Sequence, residues 1–352
     1  MIGILFGIVL ILCTVLFCII WAWSPGKIEP YYGQDGSVLE GSISEIVHVK
    51  IGGMEQGMVL KGKNTGNPVL LFLHGGPGTS QYAIFNDIGL EDCFTVCWWD
   101  QRGGGLSYTS DVESITLDLM IQDTVEVTNY LRERFHQDKI YLMGQSFGSF
   151  LGINTVARHP ELFEAYIGVS QMTYGLESEK LGYDCMMRIA QEKGDQKSIQ
   201  KLEKFKIDGA DTITPEYLNL RSQIMEEQGI GVFHSSPSRW QYAIKPLITT
   251  REYTLSDKYG VLVGSWNMLK APVNAEMFAT NVMETIPELD VSVYIMQGRY
   301  DRVASYELAQ RYYEMLKAPQ KGFYTFENSA HSPHMEEPQR LMQIIKDDIL
   351  CV

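Results

Sequence analysis

Charge is missing from the start of this 352-residue chain: no Asp, Glu, Lys or Arg precedes Lys27. Basic residues are scarce overall, 29 against 43 acidic ones, which leaves a formal charge of −14. Nucleic-acid binding needs a cationic footprint, and no basic block or stripe occurs, so no nucleic-acid partner is expected. Cysteine is too scattered for a disulfide framework: Cys13 and Cys18 lie in the uncharged start and Cys351 beside the C-terminus. Cys93 and Cys97 fall in one strand-like run, about 13 Å apart, too far to bridge. The sequence has no H-E-x-x-H, no His/Cys cluster, no P-loop and no G-x-G-x-x-G, so neither a metal nor a cofactor is expected. With 45% apolar and only 20% charged residues, disorder does not describe the whole chain.

What the uncharged start does contain is a run of apolar residues from Met1 to Trp23, interrupted by Thr14 alone. As a helix this run spans about 33 Å, close to a bilayer core. Trp21 and Trp23 sit where an interfacial aromatic belt belongs, and Ser24-Pro25-Gly26 stops the helix. A cleaved signal peptide would be shorter and begin with basic residues. The expectation is a retained single-pass transmembrane anchor, residues 1–23, giving the chain a lipid bilayer as partner, with the part after the anchor facing outside. Residues 24–42 read as a polar tether.

From residue 43, two Gly-punctuated alternating segments suggest an antiparallel hairpin. Buried apolar runs then alternate with helical patterns: strands at 68–74, 93–100, 139–144, 165–170, 292–298 and 322–326, and helices at 116–135 and 147–160. Such alternation implies a mostly parallel sheet with helices on both faces, an α/β fold. Between 171 and 265 the pattern turns wholly helical, with 13 acidic and 12 basic residues, and reads as a cap inserted over the sheet's C-terminal edge. The expected organisation is 43–170 first core part, 171–270 cap and 271–352 second core part.

The chemistry concentrates where strands end. Gly144-Gln145-Ser146-Phe147-Gly148 follows a strand and opens a helix, the setting of a nucleophile elbow. A serine on so sharp a turn needs small residues two places before and after it, and the helix N-terminus then faces a developing oxyanion. The N–H of Phe147 is one expected donor. His74-Gly75-Gly76-Pro77-Gly78 ends another strand, where glycines let backbone N–H groups approach a ligand. A serine needs a base and the base an orienter: Asp301 and His331 each follow a later strand, in the order expected for this elbow. His334 lies in a turn-like context, Asp290 precedes its strand, His159 closes a helix, and His48, His136 and His234 lack a strand-end context.

Together HGGPG, WWDQRGGGLS (98–107), GQSFGS (144–149), GRYDRV (298–303) and SAHSPHMEEP (329–338) resemble the proline iminopeptidase-like branch of the α/β-hydrolase superfamily. The resemblance runs from about residue 45 to the C-terminus. It implies an α/β-hydrolase fold with Ser146 as nucleophile, Asp301 as orienting acid and His331 as base, and with Gly76 and Phe147 as oxyanion donors. It also implies that His74, Gly75, Pro77, Gly78, Asp100, Gln101 and Arg102 support the site. Proline iminopeptidases read the substrate's amino group with cap glutamates in tryptophan-glutamate contexts, whereas here Gln241 follows Trp240. Glu177, Glu252 and Trp240 are the candidate substrate contacts, with Glu179, Glu226, Glu227 and Asp257 as further anions. The implied activity is a serine aminopeptidase releasing N-terminal residues from short peptides. An esterase on small or lipid-derived acyl esters is the alternative, and a non-catalytic binding module a minor one.

Overall fold

The computed structural model describes residues 2–85, 88–235 and 237–351; the side chains at 2–5, 8, 12, 13 and 85 lie outside the described set. Eight strands share one sheet: β1 (Ile43–Ile51), β2 (Met54–Gly62), β3 (Val69–Leu73), β4 (Thr95–Trp99), β5 (Ile140–Gln145), β6 (Phe163–Val169), β7 (Ser292–Gly298) and β8 (Lys321–Phe326). Their order is β1-β2-β4-β3-β5-β6-β7-β8. The hairpin β1–β2 and the pair β2–β4 are antiparallel, and every other pairing is parallel.

Period-two burial explains why the central strands are continuous apolar runs. In β3, Leu71 and Leu73 point into one core with Val127 and Leu131 of α2 (Leu117–Phe135) and with Phe150 and Leu151 of α3 (Phe147–Arg158). Their neighbours Leu70 and Phe72 point into the other, with Trp98 and with Leu341 and Ile344 of the C-terminal helix. Both faces of the sheet are therefore covered, as a parallel sheet requires.

The segment between β6 and β7 contains helices and, among the described residues, no strand. Its longer helices are α4 (Gly175–Lys193), α5 (Pro215–Gln228) and α6 (Leu255–Asn267). Thr214 caps α5 through the Tyr217 N–H, Pro215 occupies its first turn, and Gly229 ends it in the left-handed conformation. A Thr254/Asp257 capping box starts α6. Met186, Leu202, Ile224, Met225 and Ile230 give the segment its own small core. Helix α6 lies directly on the 103–105 loop: a Cβ on Gly260 would sit 2.6 Å from the Gly105 carbonyl oxygen, and one on Gly264 3.0 Å from Gly104 Cα. After the sheet resumes come α7 (Tyr306–Met315) and α8 (Pro338–Ile344).

The N-terminal helix α1 runs over Ile2–Ala22. Among the described residues, no helix is long and apolar enough to cross a membrane. The expected span Met1–Trp23 falls in part on Met1 and on the side chains at 2–5, 8, 12 and 13, and to that extent lies outside the described residues. The apolar side chains of α1 that are described, among them Phe6, Leu10, Ile11, Leu16, Phe17 and Trp21, are exposed except for the half-buried Ile20.

Candidate active site

Ser146 stands between β5 and α3 with φ 55° and ψ −120°. That backbone costs a residue with a Cβ about 1–3 kcal/mol, so the surroundings must hold it. They do: the Ser146 N–H donates to the Val169 carbonyl at 3.0 Å, and its carbonyl accepts from the Ser149 N–H at 2.8 Å and the Ser149 hydroxyl at 2.6 Å. A Cβ on Gly148 would run into the Leu73 carbonyl, so only glycine lets α3 start this close to β3. Gly75 is equally constrained, because its own Cβ would meet the Gln145 side chain and come within 3.1 Å of Ser146 Cβ. The HGGPG loop thus lies against the serine.

The structure brings all three sequence-predicted catalytic residues into one run. Ser146 Oγ is 2.7 Å from His331 Nε2, and His331 Nδ1 is 2.9 Å from Asp301 Oδ2 and 3.1 Å from Oδ1. Asp301 is fully buried and accepts from the Val303 and Ala304 N–H groups, both at 2.9 Å, and from Gln297 Nε2 at 2.9 Å. Burial works against its charge, but the adjacent His331 and these donors outweigh it and hold the carboxyl below the usual range. Asp301 is therefore a fixed anion that orients the imidazole. Among the described residues, neither the Gly76 N–H nor the Phe147 N–H has a hydrogen-bond acceptor, which leaves both available to an oxyanion at the start of α3.

Several residues that pattern reading passed over brace the site. Gln145 donates Nε2 to the His331 carbonyl at 3.0 Å and accepts from Gln81 Nε2 at 2.7 Å, so one amide joins the HGGPG-side loop, the elbow and the histidine loop. The buried Ser170 hydroxyl donates to the same carbonyl at 3.0 Å. The only sequence signal for Gln145 was its place inside the elbow motif.

The supporting loops are joined by a histidine and two carboxylates. His74 is buried; its Nε2 accepts the Gln101 N–H at 3.0 Å, which places the ring proton on Nδ1, 3.0 Å from the Gly75 carbonyl. Burial holds its pKa down at about 4, so it stays neutral and structural. Asp100, also buried, accepts from the hydroxyls of Ser80 and Tyr253 and from the Leu106 N–H. Burial pushes its carboxyl up to about 6. Since Tyr253 belongs to the inserted segment, this carboxylate pins the cap to the core. Arg102 turns away from the serine: its Nε and Nη2 meet the Asp123 carboxylate at 2.8 and 2.9 Å, and Nη2 also donates to the Gly52 carbonyl. Its role is to anchor the loop to α2 and the first hairpin.

The cap candidates are mostly committed elsewhere. Glu252 closes a local turn, accepting from the Thr250 hydroxyl at 2.8 Å and the Arg251 N–H at 3.0 Å. Glu179 is buried and paired with Arg221, Glu226 accepts from the Tyr242 hydroxyl at 2.7 Å, and Asp257 serves the capping box. Glu177 is half-buried in the first turn of α4, Glu227 is exposed, and Trp240 is 57% exposed. A cleft of about 620 Å³ lies beside the His331 loop, lined by Ile84, Phe233, Tyr242, Pro246, Met335 and Glu336 among others, and Ser146 is not in its wall. Of the competing histidines, His334 is fully buried against Phe72 with its ring held neutral by burial, His159 pairs with Glu161, and His234 stacks on Tyr300.

Residues 68–338 match a family described as alpha/beta hydrolase fold. A probable aminopeptidase of Bacillus subtilis, YbaC, is 33% identical over 301 residues, covering 84% of this chain and 93% of that protein. A proline iminopeptidase of Saccharolobus solfataricus is 27% identical over 302 residues, covering 82% of this chain and 86% of its own. Among solved structures, the proline iminopeptidase of Mycobacterium smegmatis superposes with a TM-score of 0.64 at 18% identity, covering 86% of this chain and 96% of that one.

Proposed function

The chain belongs to the α/β-hydrolase family, and from that premise we propose that it is a serine aminopeptidase of the proline iminopeptidase-like kind, acting through Ser146, His331 and Asp301. The observation that carries the reading is the continuous run Asp301–His331–Ser146, at 2.9 and 2.7 Å, ending on a serine held at φ 55°. Ser146 Oγ attacks the carbonyl of the substrate's first residue while His331 Nε2 takes the proton. Asp301 stabilises the resulting imidazolium, and the N–H groups of Gly76 and Phe147 receive the oxyanion. Collapse of the tetrahedral species expels the amine, which takes the proton back from His331. Water, deprotonated by the same imidazole, then frees the acyl group from Ser146.

The helical cap over the loops supports a short peptide as substrate, because a long folded chain would collide with α6. The test is turnover of a panel of amino-acid arylamides by wild type and Ser146→Ala. Release of arylamine that depends on Ser146 supports the reading, and equal rates in both proteins overturn it.

One observation favours an esterase instead: Glu179, Glu226, Glu252 and Asp257 are each already paired or capping. No free cap carboxylate among these four is left to read an ammonium group. The same panel decides, since rapid p-nitrophenyl ester hydrolysis without arylamide cleavage selects the esterase.

We also infer that α1 is held in a lipid bilayer, with the catalytic part outside. The support is the uncharged stretch before Lys27 and the exposure of Leu16, Phe17, Ile19 and Trp21 on different sides of one helix. Extraction of membranes at alkaline pH tests this, because a bilayer-held chain stays in the pellet.

A further inference from the structure

The outer face of α6 carries no charge among its exposed side chains, and its only ring contact among the described residues is the edge contact of Tyr108 with Tyr259, 5.8 Å between centroids. Tyr259, Leu262 and Trp266, spaced three and four residues apart, are 56%, 60% and 53% exposed, while Gly260, Val261 and Gly264 of the inner face are buried against the core loops. From Tyr259 to Leu269 the sequence has no ionisable acid or base other than the tyrosine. On a chain of net charge −14, an aromatic stripe of this kind is out of place against water and marks a contact surface.

Its position says which contact. Lys258, the residue before the stripe, donates Nζ to the Trp23 carbonyl at 3.1 Å and to the Ile248 carbonyl at 2.7 Å. Pro25 and Thr254 form a bridge, and the Lys27 N–H donates to the Arg251 carbonyl at 3.0 Å. The end of α1 is thus fixed to the first turn of α6, with Trp21 and Trp23 both exposed and Tyr259 following Lys258 directly in sequence. Arg251 and Lys270, exposed at either end of the stripe, complement anionic headgroups.

We propose that the outer face of α6 lies on a lipid bilayer, with Tyr259, Leu262 and Trp266 in the headgroup region. This rests on the bilayer reading of α1 and extends it: the cap itself, and not only the anchor, contacts lipid. Tyrosine and tryptophan suit that zone because each has an apolar body and a polar tip, and a helix lying there is immersed by about 5–10 Å. The cap would then be seated between the membrane and the loops around Ser146.

The experiment uses the full chain reconstituted into vesicles of phosphatidylcholine and phosphatidylglycerol. Flotation reports anchorage. The emission lost on Trp266→Phe, an exposed and conservative change, isolates Trp266; circular dichroism verifies the fold. With lipids brominated near the headgroup end of the acyl chains, this component should fall about twofold, and it should change little with bromines near the bilayer centre. A chain that floats with its Trp266 component unquenched overturns the α6 contact and leaves the anchorage standing. A chain that does not float overturns both. A detergent-solubilised dimer that Leu262→Glu dissociates would give this face to a second copy and overturn the lipid contact.

Discussion

Replacing Ser146 by alanine and, separately, by glycine isolates the backbone strain of the elbow from its chemistry. Both variants lose the hydroxyl and its 2.7 Å bond to His331, so those losses cancel in the comparison. At an ordinary position the glycine variant would be the weaker by about 0.4–1 kcal/mol, because glycine raises the entropy of the unfolded chain. Here φ is 55° and ψ −120°, and a Cβ in that region costs about 1–3 kcal/mol. The difference of the central values leaves Ser146→Gly more stable than Ser146→Ala by about 1 kcal/mol, the reverse of the ordinary sign. With a urea dependence of about 3 kcal/mol/M, that is a midpoint higher by about 0.3 M, readable by tryptophan fluorescence. Neither variant should turn over substrate. An alanine variant as stable as the glycine variant, or more so, would refute the claim that the fold forces this serine into a strained turn.

Three further outcomes follow from the geometry. Gln145→Leu removes the donor to the His331 carbonyl and the acceptor for Gln81, and should lower kcat by about tenfold or more with KM little changed; an unaltered kcat removes Gln145 from the positioning machinery. Arg102→Ala strands the buried Asp123 carboxylate and should cost about 3–5 kcal/mol in unfolding experiments, while kcat per active serine is retained. Burial holds the folded pKa of His74 at about 4 against 6.5, so its contribution to stability is complete above pH 6.5 and falls by on the order of 3 kcal/mol as the pH drops to 4. His74→Gln, which keeps an acceptor for the Gln101 N–H, should lose that part of the acid slope in urea titrations, and an identical slope in both proteins contradicts the assignment.

Much of this site was legible because its logic is local. The elbow declares itself through the glycines flanking Ser146, which sterics demand, and β3 and β5 declare themselves as short buried runs. Asp301 and His331 were found because each follows a strand whose end is a loop at the site's edge of the sheet. The braces were hidden for the opposite reason. Gln81 meets Gln145 across 64 positions, Gln145 meets His331 across 186, and Tyr253 meets Asp100 across 153, so their pairing exists only once the loops have converged. Arg102 read as a support beside the site from the resemblance of its DQRG segment, but its partners Asp123 and Gly52 lie 21 and 50 positions away and could not be named from the motif. One signal was present and unread: Gly260 and Gly264, four apart in the uncharged second half of α6, mark a face that packs on another backbone.

The most direct test of the central claim is reaction of the intact chain with a fluorophosphonate, mapped by peptide mass spectrometry and run beside arylamide turnover. One equivalent of label on Ser146, with activity lost in proportion and no labelling of His331→Ala at the wild-type rate, is the predicted result. Arylamide turnover that persists in fully labelled protein, or a label carried by another serine, would contradict it.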